Sequence, residues 1–115
     1  MSRKTERVSS LFREEISNLL LREVKDPRLA GVISITEVMI TPDLRSAHIY
    51  VSMMGSEEEK KGIMSGLESA SGFIRRELAR RVEIRRIPDL FFVRDDSIEK
   101  GTRLLKLLDE ESKKR

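Results

Sequence analysis

Apolar and polar positions alternate along this chain with two different periods, and the switches between them outline the elements. Within residues 3–25, Val8, Leu11, Phe12, Ile16, Leu19 and Leu20 recur at spacings of three, four and one, which predicts an amphipathic helix with one face on a core. Asp26-Pro27 ends that pattern, because the residue before a proline is pushed out of the helical region. From Ala47 to Met53 the period is two: Ala47, Ile49, Val51 and Met53 point one way, His48, Tyr50 and Ser52 the other. The preceding apolar stretch changes phase, Ile33 and Ile35 against Val38 and Ile40, so a bulge near Thr36-Glu37 is needed to keep all four on one face. Thr41-Pro42-Asp43-Leu44 joins the two strands. Proline forbids the positive φ of a primed hairpin turn, which leaves a type I turn with Pro42 second.

Residues from Glu57 to Val82 again follow the helical period, with Ala70-Ser71-Gly72 in their middle. Glycine costs about 1 kcal/mol against alanine in a helix interior, and serine offers the backbone a competing partner. A Ser-Gly pair is a recognised cause of kinks, so two shorter helices meeting at an angle are expected. Ile63, Leu67 and Ala70 form the apolar side of the first, and Ile74, Leu78 and Val82 that of the second. Pro88 opens a last strand, Leu90 to Arg94, whose apolar residues on both faces predict a central or well-covered position. Asp96 with Glu99 resembles a capping box for a helix through Leu108, weakened by Gly101, and residues 110–115 read as a frayed tail. A hairpin followed by a right-handed crossover to a third strand gives a three-stranded mixed sheet with helices on one face, a two-layer α+β domain.

Composition narrows the chemistry. A length of 115 residues suits one domain, 1–115, with its core between about 7 and 108. Charged residues make up 37%, and the absence of cysteine removes disulfides, thiolate ligands and a thiol nucleophile, which fits a reducing cytoplasm. No apolar run approaches the roughly 18 residues of a membrane span, and the N-terminus lacks a signal-type apolar stretch. The net charge of +3 hides a polarity: residues 57–69 hold four Glu against Lys60 and Lys61, while residues 70–86 hold six Arg against Glu77 and Glu83. A second helix opening at the break would present free N–H groups and a positive dipole end beside Arg75, Arg76, Arg80, Arg81, Arg85 and Arg86, a site suited to phosphate. Arg76 and Arg80 share its outer face, Arg75 borders the apolar stripe, and Arg81 lies close enough to pack its stem there. Arg85 and Arg86 fall in a loop, and Arg3, Lys4 and Arg7 make a weaker second cluster.

Four segments carry a family resemblance: Lys25-Asp26-Pro27-Arg28-Leu29, Ala70-Ser71-Gly72-Phe73-Ile74-Arg75, Pro88-Asp89-Leu90-Phe91-Phe92, and Asp95-Asp96-Ser97-Ile98-Glu99-Lys100-Gly101. In this order, from about Arg7 to Leu108, the chain resembles the ribosome-binding factor A family, bacterial assembly factors of the small ribosomal subunit with a type II K-homology-like (KH-like) fold. The resemblance implies the order α-β-β-α-kink-α-β plus a C-terminal helix, with Ala70, Ser71 and Gly72 as the kink. An ordinary nucleic-acid-binding KH domain has a Gly-x-x-Gly clamp between its helices. Gly62 and Gly66 are too early and wrongly spaced to replace it, so phosphate-driven recognition of folded rRNA is expected instead.

The resemblance further implies binding to the small (30S) subunit, support for late 16S rRNA maturation including 5′-end processing, a part in cold adaptation, and release before translation. An assembly GTPase is the candidate partner for that release. A cytoplasmic monomer without catalytic residues, metal or cofactor is expected, and a generic KH-type RNA binder is the alternative. The rRNA-contacting set would be Arg75, Arg76, Arg80, Arg85, Arg86, Ser71 and Gly72, with Arg3, Lys4, Arg7 and Arg81 as a weaker set. Arg28 is expected to pair with Asp26 or a helix end, Phe73 to be buried, and Asp95-Asp96 to cap a helix rather than hold metal. His48 reads as an ordinary surface residue. Stacking on a base is open to it, as to Tyr50, but with only 4% aromatic residues stacking is not the main binding mode.

Overall fold

The computed structural model describes residues 3–113, with side chains from Thr5 to Ser112 except Ile98 and Glu99. Helix α1 spans Arg3–Arg22, strands β1 and β2 span Val32–Ile40 and Ser46–Met53, helix α2 Glu57–Arg81, strand β3 Asp89–Arg94 and helix α3 Ser97–Lys113. The sheet order is β1-β2-β3, antiparallel then parallel, so the hairpin and crossover form the expected mixed sheet. Its inner face packs on α1 and α2. Phe12, Ile16 and Leu19 meet Ile49, Val51, Leu67, Ile74 and Leu78, all fully buried. Leu11, counted in the α1 stripe, is instead 38% exposed.

Strand β2 alternates as its sequence requires, with Ala47, Ile49, Val51 and Met53 buried. The phase change in β1 is absorbed by a register shift between Ile35 and Glu37, which leaves Thr36 as the extra residue and puts Ile35, Val38 and Ile40 on the core; Ile33 does not join them as expected, because a second register shift between Val32 and Ser34 leaves it 49% exposed. The Leu44 amide donates to the Thr41 carbonyl (2.8 Å) to close the Pro42 turn, and Leu44 itself takes the left-handed conformation (φ 60°) that returns the chain to β2. Helix α1 ends at Arg22, before Asp26-Pro27. That dipeptide starts a separate 3-10 turn over Pro27–Gly31: Asp26 accepts from the Arg28 amide (3.0 Å), and Pro27 sits where no N–H is needed.

The expected helix break does not occur. Helix α2 runs for 25 residues through Ala70-Ser71-Gly72. Its buried positions explain why, since Ile63, Leu67, Ile74 and Leu78 with half-buried Ala70 repeat at four, three, four and four, one stripe in a single helical phase. Gly72 lies exposed on the opposite side, so only its propensity cost of about 1 kcal/mol opposes the helix, less than burying one large aliphatic side chain returns. The Ser71 hydroxyl donates back to the Glu68 carbonyl (2.7 Å) within the helix. At the true N-terminus Ser56 and Glu59 form a reciprocal capping box, a Ser-x-x-Glu signal that the sequence carries plainly.

Two further expectations change. Strand β3 is an edge strand, not a central one; Phe91 on its outer face is exposed, while Leu90 and Phe92 are half-buried against the core. Helix α3 continues through Lys113 instead of fraying from residue 110, and Leu104, Leu105, Leu107 and Leu108 are all exposed on it. Its first turn is capped by Asp95, which accepts from the Ser97 amide (2.9 Å) and the Thr36 hydroxyl (2.5 Å). Asp96 pairs with Arg94 (2.9 Å), whose guanidinium also grips Glu57 at the start of α2 (2.5 Å), while the Glu99 side chain, the other half of the expected Asp96–Glu99 capping box, lies outside the described residues.

Candidate nucleic-acid interface

Continuity of α2 changes what the arginines near its end can do. With no second helix opening at Gly72, there is no set of free N–H groups there, and Ser71 and Gly72 offer no anion cradle. The positive dipole end of α2 lies at Ser56, already capped and followed by Glu57, Glu58 and Glu59. Arg80 and Arg81 occupy the last turn, where cations offset the negative dipole end. Part of the charge polarity along α2 is thus ordinary helix electrostatics. Only guanidinium groups that the fold leaves unengaged are free to meet an anion.

Two arginines are taken. Arg75 reaches over the connection to β3 and donates to the carbonyls of Ile87 (3.0 Å) and Pro88 (3.2 Å), with Asp89 at 3.5 Å. These bonds fix the approach to β3 while Pro88 is fully buried beneath. Arg81 turns toward α1, meeting Glu23 at 2.8 Å and Glu15 at 3.4 Å, with Glu77 at 3.7 Å on its own helix. The Glu23 carboxylate chiefly, then Glu15, raises the Arg81 pKa above its ordinary value. Arg81 is a clamp between helices, in keeping with the packing role open to it from sequence.

The others remain available. Among the described residues Arg76 is exposed on the outer face of α2 with no ion pair or side-chain hydrogen bond, and Arg80 is 77% exposed with one long contact to Glu77 (3.5 Å). Arg85 and Arg86 project from a bend between α2 and β3, also unpaired among the described residues. Arg7 of α1 is exposed and shares an open hollow with Glu83 and Ile84 of that same connection, so this one residue of the N-terminal cluster adjoins the main one. The side chains of Arg3 and Lys4 lie outside the described residues. Arg45 escaped the sequence reading. It is exposed at the hairpin tip, and its carbonyl accepts from the Asp89 amide (2.9 Å), which sets the tip beside the start of β3. The turn signal of Thr41-Pro42-Asp43 was enough to expect a projecting residue there, though not which end of the domain it would join.

The motif residues also converge. Lys25 and Asp26 face Ser69, Ala70 and Phe73 across a surface hollow of about 290 Å³ between the end of α1 and the middle of α2. Arg28 forks onto Asp26 (2.6 Å) as expected, and that guanidinium holds the Asp26 carboxyl below its ordinary pKa. Phe73 packs half-buried on the core. Among the described residues no cluster of three His, Asp or Glu side chains could hold a metal ion, and no helix is long and apolar enough to cross a membrane.

A three-stranded mixed sheet backed on one face by helices, with a hairpin and helical crossover in this order, defines a KH-like α+β domain, here with unengaged arginines gathered at one end. The sequence signature of the family described as Ribosome-binding factor A matches residues 4–108. A Ribosome-binding factor A from Dictyoglomus thermophilum is 59% identical over 110 residues, covering 96% of this chain and 92% of that one. The chain belongs to the ribosome-binding factor A family. Its fold is similar to the crystal structure of ribosome-binding factor A from Thermus thermophilus, with a TM-score of 0.70 and 26% identity over 78% of this chain and 93% of that one. It is also similar to a homology model of a Thermus thermophilus ribosome-binding factor A fitted into a cryo-EM map of its 30S complex, with a TM-score of 0.61 and 26% identity, covering 84% of this chain and 97% of that one.

Proposed function

We propose that this protein is a non-catalytic rRNA-binding assembly factor that docks on the small (30S) ribosomal subunit. There it supports late maturation of 16S rRNA, including processing of the 5′ end. It acts as a cytoplasmic monomer, contributes to growth in the cold, and leaves the subunit before translation with the help of an assembly GTPase. Family membership and the 30S complex of a similar protein support the partner, and weigh against a generic KH-type RNA binder. The observation that carries the reading in this chain is the division of its arginines. Arg75 and Arg81 are consumed by the fold, whereas Arg76, Arg80, Arg85 and Arg86 stand exposed around the end of α2 with at most one weak partner among them. Guanidinium forks held there meet phosphates bidentately with little desolvation cost.

The test is cosedimentation of the purified protein with isolated small and large subunits at physiological salt. Binding to small subunits alone is expected. Equal retention by both subunits, or by bulk RNA, contradicts the proposal.

A further inference from the structure

On the outer face of the sheet, away from α1 and α2, Met39, His48 and Phe91 lie in one row across the three strands, paired Met39 to His48 and His48 to Phe91. The His48 and Phe91 rings are stacked, with centroids 5.5 Å apart and planes 23° from parallel. Phe91 is 49% exposed and Met39 39% exposed, so the row forms an apolar, partly aromatic strip open to solvent. We propose that this row is a stacking platform for an unpaired RNA base. The inference rests on the rRNA-binding reading above and adds to it a base-stacking site on the outer face of the sheet, next to the Arg85 and Arg86 end of the arginine set.

Charge selects nucleic acid as the occupant. Arg45 precedes His48 by three residues, about 10 Å of strand, and its carbonyl pairs with the Asp89 amide at the start of β3. Arg85 and Arg86 lie in the bend just before that strand. Three exposed cationic residues thus lie close along the chain to the Phe91 end of the row, where the phosphates flanking a stacked nucleotide would run. Of the nearby carboxylates, Asp43 accepts from the Thr41 hydroxyl (2.6 Å) and the Arg45 amide (3.0 Å), and exposed Asp89 is offset in part by Arg75 at 3.5 Å. In the next row exposed Glu37 pairs with Tyr50, and its negative charge sets a boundary beyond which a phosphate backbone is repelled. The bound strand thus leaves the platform toward Arg45 and Arg86, not across Tyr50. Every base has a π-face, so such a platform tolerates any sequence.

The test uses the full chain and an unstructured RNA oligonucleotide carrying 2-aminopurine, whose fluorescence is quenched on stacking, with small-subunit cosedimentation run in parallel. Phe91→Ala and Phe91→Leu should weaken oligonucleotide binding about 5- to 100-fold, the cost of losing one stacked base, and relieve the quench. Phe91→Trp should restore both. Because Phe91 is half-exposed on an edge strand and leucine keeps its apolar volume, the Leu variant reports on stacking rather than folding. If Phe91→Leu binds and quenches as the unsubstituted protein does, or if the latter fails to bind the oligonucleotide, the platform is refuted. Unchanged binding by that variant alongside normal cosedimentation overturns the platform alone. A protein that shows the full stacking pattern but does not cosediment with small subunits overturns the proposed function and leaves the platform standing.

Discussion

Replacing three glycines by alanine separates the continuous-helix arrangement from a kinked one. At Gly72 an added Cβ meets only the Arg76 Nη1 atom at 3.6 Å, an ordinary contact, and the residue sits inside a regular helix on its exposed side. Gly72→Ala therefore gains helix propensity with nothing displaced, an expected stabilisation of about 0.5–1 kcal/mol, or about 2–5 °C in melting temperature for a domain of this size. Gly66 differs, because its Cβ would come within 3.0 Å of Leu29 Cδ2 and 3.4 Å of Arg28 Cβ, where the 3-10 turn rests on α2. The Leu29 side chain is buried and must give way, so Gly66→Ala should cost about 1 kcal/mol or more. Gly31 is the strictest, with Met54 backbone oxygen at 2.6 Å and Ile63 Cδ1 at 2.7 Å from the added atom. The Met54 amide already donates to the Gly31 carbonyl (2.8 Å), which fixes the two segments, so Gly31→Ala should cost about 1–3 kcal/mol. Urea and thermal unfolding followed by far-ultraviolet circular dichroism give the order. If Gly72→Ala is destabilising and lowers helicity, α2 is broken at that point and the physical reasoning for its continuity fails.

Arg75→Ala removes the donors to Ile87 and Pro88 carbonyls, bonds that are partly solvent-exposed, and should cost about 1–2 kcal/mol in urea unfolding. Unchanged stability would mean that the guanidinium is free for RNA after all. The Asp95 carboxyl is held below its ordinary value chiefly by the Thr36 hydroxyl, Asp26 by Arg28, Glu57 by Arg94 and Glu59 by the Ser56 amide. Because these folded-state values are depressed, the stability they contribute is present above about pH 4.5 and is lost as pH falls through about 4 and below. Melting temperature should accordingly be flat from pH 7 to about 5 and decline steadily under acid, and a rise on acidification would contradict these hydrogen-bond and ion-pair assignments.

The parts of this fold that were legible in the sequence are those in which one local rule had no competitor. Strand β2 alternates without interruption, and the phase change between Ile35 and Val38 in β1 calls for the bulge found at Thr36, whereas the second register shift, which turns Ile33 outward, has no such signal. Asp26 and Arg28 are close enough in sequence to pair whatever the rest of the chain does. Gly72 was misleading because propensity and burial point in opposite directions there. The stripe through Ala70, Ile74 and Leu78 keeps one phase across it, and tertiary burial outweighs a local cost of about 1 kcal/mol. Strand β3 was misplaced for a related reason, since apolar residues on both faces of an edge strand look like those of a central strand. Among the site residues, the exposure of Arg76 and Arg80 followed from helical geometry. The engagement of Arg75 with a connection 12 and 13 residues away, and of Arg81 with Glu15 and Glu23, depends on long-range contacts that no spacing rule encodes. Likewise His48 and Phe91 are 43 residues apart, and only the parallel pairing of β2 with β3 brings them face to face.

The most direct measurement is the salt dependence of small-subunit affinity for the protein and its Arg76→Glu/Arg80→Glu variant. If Arg76, Arg80, Arg85 and Arg86 each neutralise about one phosphate, log affinity should fall against log salt with a slope of about −3. Both substituted residues are exposed and unneeded by the core, so the variant should melt within about 0.5 kcal/mol of the original. Its binding should weaken at least tenfold at physiological salt, with a slope nearer −1.5. A folded variant that binds as tightly, with the same slope, would mean that these arginines are only a solvated surface and that rRNA is met elsewhere.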